Sequence, residues 1–315
     1  MVFLSVIIPS FNNKKNLSLT LKYFYKQNTP LNPEEIEVIV VNDGSTDGTE
    51  EVIRYWQGKV RNLKVINHLK NRGPAAARNS GAENAQGKLL LFLDSDIIMS
   101  PDILDTHLSY FLKNGNSDVI ILSEIYNFKP EAKDELYEYL DDAEELNENY
   151  LKNNLTEEID PYFDIRHEIL NSGEVNNGVI WVFGALFCST MYKSTWEKVG
   201  CFDEKFTGWG PEDIEFVYRA YKNDCKLVYK SDSVCFHLDF RKKDKNILFQ
   251  SVQRNAKYLY AKHPNKDIKN YLRFYKGDIS FEEFDCLHKD VSFKAEEYKK
   301  LHYLGILKFL FKKTE

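Results

Sequence analysis

Within its first hundred residues the chain alternates four times between a short apolar run and a segment with helical spacing. Residues 3–9 (FLSVIIP), 37–42 (EVIVVN), 63–67 (LKVIN) and 89–93 (LLLFL) read as strands. Continuous apolar runs such as the fourth belong to strands buried on both faces. Between them, residues 12–27 carry Leu17, Leu21, Phe24 and Tyr25 at helical spacing. Thr46 or Asp47 can cap a helix running to about Trp56, and Gly73-Pro74 opens a helix to Asn84 with proline in its first turn. Ala75, Ala76, Ala77 and Ala82 are small enough for close packing on a sheet. This alternation specifies an α/β fold, a mostly parallel central sheet covered by helices on both faces. Such sheets bind ligands beyond the carboxyl ends of their strands. Here those ends are the loops 9–13, 42–47, 68–73 and 94–98.

The fourth run stops on Asp94-Ser95-Asp96. If strand alternation continues, both carboxylates leave the sheet edge on one side and Ser95 points away. Two such acids cannot comfortably ionise together in a dry setting, and a divalent cation removes the conflict. The plainer alternative is a polar loop with solvated acids, and the tripeptide alone does not decide between them.

At 315 residues the chain fits one large domain or a domain with an appendage. Its 43% hydrophobic content excludes wholesale disorder, and a net charge of −6 argues against nucleic-acid binding. Five cysteines without a C-x-x-C pair read as reduced thiols in a cytoplasmic protein. The start, MVFLS, has no basic region or cleavage site, so no secretory signal is expected, and no apolar stretch is long enough to span a bilayer. Residues 301–313 (LHYLGILKFLFKK) suit either peripheral contact with the inner face of a membrane or, the preferred reading, a terminal helix docked on its own protein.

Residues 130–154 form an acidic helical excursion, read as a solvated face, and residues 171–177 (NSGEVNN) a mobile loop. Gly184, inside the apolar segment 178–187, suggests close approach of a ligand or another backbone. Pro211 marks another helix start, so Glu212 and Asp213 fall in a first turn, where the helix dipole favours acids. The preceding Gly208-Trp209-Gly210 reads as a flexible loop carrying one aromatic. Residues 226–229 and 233–236 read as two strands, the second ending on His237, and the chain from 241 on is helical, basic and aromatic.

The ordered set Ser5-Val6-Ile7-Ile8-Pro9-Ser10-Phe11-Asn12, Val40-Val41-Asn42-Asp43-Gly44-Ser45-Thr46-Asp47, Asn71-Arg72-Gly73-Pro74-Ala75-Ala76-Ala77-Arg78 and Asp94-Ser95-Asp96 resembles the nucleotide-sugar half of family 2 glycosyltransferases, of the GT-A fold. Gly208-Trp209-Gly210-Pro211-Glu212-Asp213 resembles the acceptor motif of inverting galactosyl- and N-acetylgalactosaminyltransferases, which usually has glycine in place of Pro211. The resemblance covers residues 3–240. It implies a GT-A domain over 1–240, with a nucleotide-sugar half at 1–100 and an acceptor half at 101–240, followed by a helical extension at 241–315.

In that scheme Asp43 accepts a hydrogen bond from a uracil ring, backbone around Pro9 and Phe11 flanks the base, and Arg78 meets the nucleotide, unless it forms only a surface salt bridge. Asp94, with Ser95 beside it, touches ribose or the water around a metal. Asp96 binds that metal, Mn²⁺ or Mg²⁺, and His237 is a second ligand that would favour Mn²⁺. Asp213 is the general base, Glu212 orients the acceptor and Trp209 offers a platform for a sugar ring. The implied partners are a UDP-sugar and a glycan or lipid-linked sugar acceptor, with a peptide acceptor as the alternative. Self-association is left open. A nucleotidyltransferase is disfavoured because the loop after the first strand has no glycine.

Overall fold

The computed structural model describes residues 1–115, 118–128, 130–155, 166–170, 178–238, 244–289, 291–292 and 294–295. The proposed loop at 171–177 and the C-terminal stretch 301–313 lie outside them. Among the described residues, no helix is long and apolar enough to cross a membrane.

The chain divides into two compact units. The first comprises Met1–Glu157, Ala185–Glu204 and Arg219–Phe240. Among the described residues it holds eight strands: β1 (Leu4–Ser10), β2 (Ile36–Asn42), β3 (Leu63–Asn67), β4 (Leu89–Leu93), β5 (Ile97–Met99), β6 (Val119–Asn127), β7 (Cys188–Tyr192) and β8 (Lys226–His237). They form one sheet in the order β3-β2-β1-β4-β7-β6-β8-β5. β3, β2, β1 and β4 are parallel, as the alternating pattern requires, and β6 also runs parallel to β8. β7 inserts antiparallel between β4 and β6, and β5 pairs antiparallel with β8.

Helices α1 (Lys14–Phe24), α2 (Thr49–Gln57) and α3 (Pro74–Asn84) fall where the spacing predicts them. In α3 the four alanines are buried, and a Cβ on Gly81 would stand 2.4 Å from a side-chain carbon of Ile7. Small residues here let the helix lie directly on β1. The acidic excursion becomes α5 (Lys133–Asp142), after α4 (Ile103–Asn114). Its acids face solvent, while Leu136, Tyr137 and Leu140 are buried with Leu19, Tyr23 and Phe236. Instead of two strands at 226–236, β8 is a single strand with a bulge. Lys230 and Val234 pair with the consecutive residues Ser123 and Glu124, so 231–233 are accommodated without ending the strand.

A polar network crosses this sheet. His107 on α4 is fully buried and meets Thr190 (2.8 Å) and Ser233 (2.8 Å), with Ser123 bonded to Ser233 at 2.9 Å. Burial, reinforced by Lys230, pushes the His107 pKa down from 6.5 to about 3, so the ring is neutral. The unfolded chain therefore binds the proton more readily, and stability falls as pH drops below about 6.5, until near pH 3. Replacing His107 by leucine is expected to cost about 2–3 kcal/mol at neutral pH by leaving buried hydroxyls without their partner. Urea denaturation checks this, and the variant should also show a flatter acid limb.

The second unit comprises Glu158–Gly184, Lys205–Tyr218 and Arg241–Glu315. Its core is aromatic. Trp181, in a short 3-10 turn (Ile180–Phe183), packs on Tyr218 and Tyr271 at centroid distances of 4.7 and 5.3 Å. Phe183 packs on Phe281, and Phe274 stacks on Phe284. Tyr271 and Phe274 come from helix Lys266–Lys276 and Phe281 and Phe284 from helix Phe281–His288, which, with Lys245–Lys262, are the helices among the described residues of the C-terminal region, where helix was expected. The close approach at Gly184 is to a side chain: an added Cβ would meet Val217 at 2.5 Å.

Candidate active site

In the first unit the loops after β1, β2, β3 and β4 share one sheet edge, because those strands are parallel. Asn12 ties two of them together. Its backbone N–H donates to Ser45 Oγ (3.0 Å), and its Oδ1 accepts from Thr46 N–H (2.8 Å). Pro9 lies in β1 and Phe11 stands 41% exposed at its end, free to face a flat ligand. Asp47 accepts from Lys14 N–H (3.0 Å) and Thr49 N–H (3.0 Å), so one carboxylate serves the first turns of both α1 and α2.

Asp43 is buried, and its carboxylate is the hub of the 68–73 loop. Oδ1 accepts from His68 Nδ1 (2.6 Å) and Arg72 N–H (2.9 Å), and Oδ2 accepts from Gly73 N–H (2.8 Å). An ionised carboxylate has about four acceptor positions, so about one is left for a ligand donor. His68 Nε2 in turn meets Ser80 Oγ at 2.9 Å. Gly44 must be glycine here, since its φ is +75° and a Cβ would meet Lys70 backbone at 2.6 Å.

The acidic tripeptide does not continue β4. Ile97 N–H donates to Asp94 C=O (3.2 Å), and the chain turns through Ser95 and Asp96 into β5. Strand alternation therefore does not set the three side chains. Asp94 takes Arg78 Nη2 on Oδ1 at 2.8 Å. Arg78 is 4% exposed and the Asp94 side chain 30%, so this ion pair is half-buried and not the surface bridge the sequence offers as an alternative. Burial raises the Asp94 carboxyl above its ordinary range, Arg78 opposes the rise and Asp96 adds to it. Ser95 is buried and its Oγ accepts from Asn13 Nδ2 (3.1 Å).

Asp96 is directed elsewhere. Its Oδ1 lies 3.7 Å from His237 Nε2, and its backbone C=O accepts from Leu238 N–H (2.8 Å). Strand pairing sets this row: Ile97 and Asn127 both register with His237. Asn127 Oδ1 stands 3.1 Å from His237 Nδ1. A neutral ring that donates from Nδ1 to that amide oxygen turns its Nε2 lone pair toward Asp96. Two acceptors so opposed suit a hard or borderline divalent cation between them. Among the described residues no group of three His, Cys, Asp or Glu side chains is placed to hold a metal, so Asp96 and His237 supply only part of a coordination shell.

In the second unit, Glu212 opens the helix Glu212–Lys222. Glu212 is buried, and Asp213 is more open, its Oδ1 accepting from Ile214 N–H (2.7 Å). Glu215, wholly buried, meets Lys262 Nζ (2.9 Å) and His263 Nε2 (2.8 Å), which fixes this first turn. Trp209 is 40% exposed. The glycines of the loop that carries it have a steric role. Gly208 and Gly210 have φ of +78° and +33°, and a Cβ on Gly208 would lie 2.5 Å from Ser251 Oγ. Glycine is there for backbone geometry and close approach.

Comparison with known proteins fits this architecture. The family model described as glycosyl transferase family 2 matches residues 5–173. The chain belongs to glycosyltransferase family 2. A model described as the N-terminal domain of galactosyltransferase matches residues 181–248 of this glycosyltransferase. It is 30% identical over 272 residues to a validoxylamine A glucosyltransferase of Streptomyces hygroscopicus subsp. limoneus, covering 83% of this chain and 57% of that protein. It is 27% identical to a chondroitin synthase of Escherichia coli, covering 90% of this chain and 43% of that one. The chain thus spans about half the length of these curated relatives. Among solved structures, Staphylococcus aureus TarS 1–349 superposes with a TM-score of 0.57 at 20% identity, covering 94% of this chain and 77% of that one. The mannosyltransferase PcManGT of Pyrobaculum calidifontis, solved with GDP-Man and Mn²⁺, gives 0.54 at 17%, covering 82% and 63%. These likenesses show the GT-A fold of this glycosyltransferase.

Three residues of its candidate site have no role in the sequence reading: His68 and Asn127, which are not singled out there, and Arg72, which stands in the Asn71–Arg78 motif without a function; His68 and Arg72 bind Asp43 and Asn127 faces His237. Each is a partner of a recognised residue. For His68 and Arg72 the local signal is their place in the 68–73 loop, and for Asn127 it is the apolar run Val119–Leu122 before it.

Proposed function

We propose that this glycosyltransferase is metal-dependent and inverting, and moves a hexose or N-acetylhexosamine from a UDP-sugar to a glycan or lipid-linked sugar acceptor in surface polysaccharide synthesis. The observation that carries the reading is the pair Asp96–His237, a carboxylate and an imidazole facing each other at 3.7 Å beside the Asp94 turn. Asp96 and His237 would hold Mn²⁺, or Mg²⁺. A cation there supplies neutralisation of the charge that builds on a departing diphosphate.

The remaining roles belong to the chain itself. Asp43 keeps an acceptor position for the N–H of a base, with Pro9 backbone and the open Phe11 beside it. Asp94 takes a ribose hydroxyl, while Arg78 and Ser95, both buried, hold Asp94 and its turn in place. Trp209 offers its ring to an acceptor sugar, Glu212 orients that sugar and Asp213 takes the proton of the attacking hydroxyl. A relative named as a glucosyltransferase supports hexose transfer, one named as a chondroitin synthase supports a polysaccharide product, and TarS, also solved with UDP-GlcNAc, supports a UDP donor. The reading places the enzyme in the cytoplasm, in keeping with its five cysteines without a C-x-x-C pair.

A panel of UDP-Glc, UDP-Gal, UDP-GlcNAc, UDP-GalNAc and GDP-Man, read as released nucleoside diphosphate, tests the proposal. One UDP-sugar should be turned over with Mn²⁺ and not with chelator. Preference for GDP-Man, or full turnover in chelator, would refute it. A second test concerns Asn127. Its replacement by leucine frees the His237 ring to turn, and should weaken Mn²⁺ binding by about 10–100-fold, as losses of such outer partners do. Mn²⁺ titration followed by electron paramagnetic resonance reads this without any turnover.

A further inference from the structure

Neither family model reaches beyond residue 248, so nothing assigns a role to helix Lys245–Lys262 past its start. One face of that helix is spent on the tryptophan loop. Asn255 is 1% exposed, and its Nδ2 donates to three backbone carbonyls of the loop: Thr207 (3.1 Å), Trp209 (3.1 Å) and Gly210 (2.6 Å). Arg254 adds a further bond to Thr207 C=O, and Ser251 lies against Gly208. An amide has two N–H groups, so three carbonyls converge on a donor that must share one of them. Turning the amide over would set Oδ1 against three carbonyl oxygens, so its orientation is forced. Oδ1 is left buried with no hydrogen-bond partner among the described residues. A buried orphan acceptor is a cost, and here it accompanies a set of bonds directed entirely at the loop.

The result is a backbone tied from behind while the Trp209 ring stands 40% exposed in front. We propose that Asn255 is a positioning residue of the acceptor site. It fixes the Thr207–Gly210 backbone so that Trp209 is presented in one orientation to a sugar acceptor. The C-terminal helix is then part of the acceptor machinery and not an appendage. The inference rests on the reading of Trp209 as an acceptor platform, and the experiment separates the two.

The protein is labelled with 5-fluorotryptophan, and its four tryptophans (Trp56, Trp181, Trp196, Trp209) are followed by ¹⁹F NMR, with Trp209 assigned from Trp209→Phe. In Asn255→Ala, and in the isosteric Asn255→Asp, the Trp209 resonance should shift or broaden while the other three stay in place. UDP binding should be unchanged. Stimulation of UDP release by 4-nitrophenyl β-glucoside or 4-nitrophenyl N-acetyl-β-glucosaminide should fall about tenfold or more, since small misplacements of a positioned group have effects of that order. An unmoved Trp209 resonance in both variants, or unchanged stimulation, overturns the proposal. So does movement of all four resonances in both variants, which would mean a merely structural role. If Trp209→Phe itself leaves stimulation intact, or if the unmutated enzyme does not bind UDP, the functional reading fails, and the resonance alone judges whether Asn255 holds the loop.

Discussion

Asp213→Asn is expected to lower sugar transfer by about 10²–10⁴-fold, the range for removal of a positioned general base. UDP binding should be unaltered. The substitution keeps the size of the side chain and an oxygen that can accept from Ile214 N–H, so the helix start is preserved. What is lost is a group able to take the proton of the acceptor hydroxyl. The helix dipole accounts for acids in this first turn whether or not they react. The discriminating feature is therefore the split between transfer and UDP affinity. An acid present only to complement the dipole would, when neutralised, cost some stability and leave transfer intact. Wild-type turnover in Asp213→Asn would remove the residue from the mechanism.

Asp96→Asn should have an effect of similar size through the opposite half of the reaction. Loss of metal assistance removes several kcal/mol of charge stabilisation, roughly a 10³-fold fall in rate. The side chain is buried, its backbone C=O is held by Leu238 N–H, and the isosteric amide preserves the turn. The variant should also lose most of the difference between Mn²⁺ and chelator. Asp94→Asn should behave differently, because Asp94 is paired with Arg78 while Asp96 faces His237. A drop in UDP affinity with metal dependence retained would fit that division. Equal loss of metal response in both variants would put both carboxylates on the cation.

The parallel half of the sheet was legible because strand and helix periodicities are local, and β3 and β4 fall at their expected bounds. The site residues were legible as types standing at strand ends. Their actual geometry was not, because it depends on distant partners. The turn at Ser95–Asp96 exists because β5 pairs with β8, about 140 residues away in sequence, and that pairing overrides the alternation expected from β4. Arg78 is drawn inward by Asp94, and Asp43 is occupied by His68, which no motif points to, and by the backbone of Arg72 and Gly73, whose motif does not say that they bind it. Glycines around Trp209 suggest flexibility when read alone, whereas the positive φ angles and Ser251 give them a steric reason. The bulge that keeps β8 continuous depends on its register with β6, and the same register brings Asn127 beside His237.

The most direct measurement is a calorimetric titration of UDP in the presence of Mn²⁺ and of chelator, on the wild type and on Asp96→Asn. Binding of the two ligands to one site must be reciprocal, so Mn²⁺ should tighten UDP binding by the same factor by which UDP tightens Mn²⁺ binding. That mutual strengthening should vanish in Asp96→Asn, with the weaker metal-free affinity for UDP retained through Asp43 and its loop. UDP affinity identical in Mn²⁺ and in chelator, or strengthening that survives in Asp96→Asn, would contradict the assignment of the metal to Asp96 and His237.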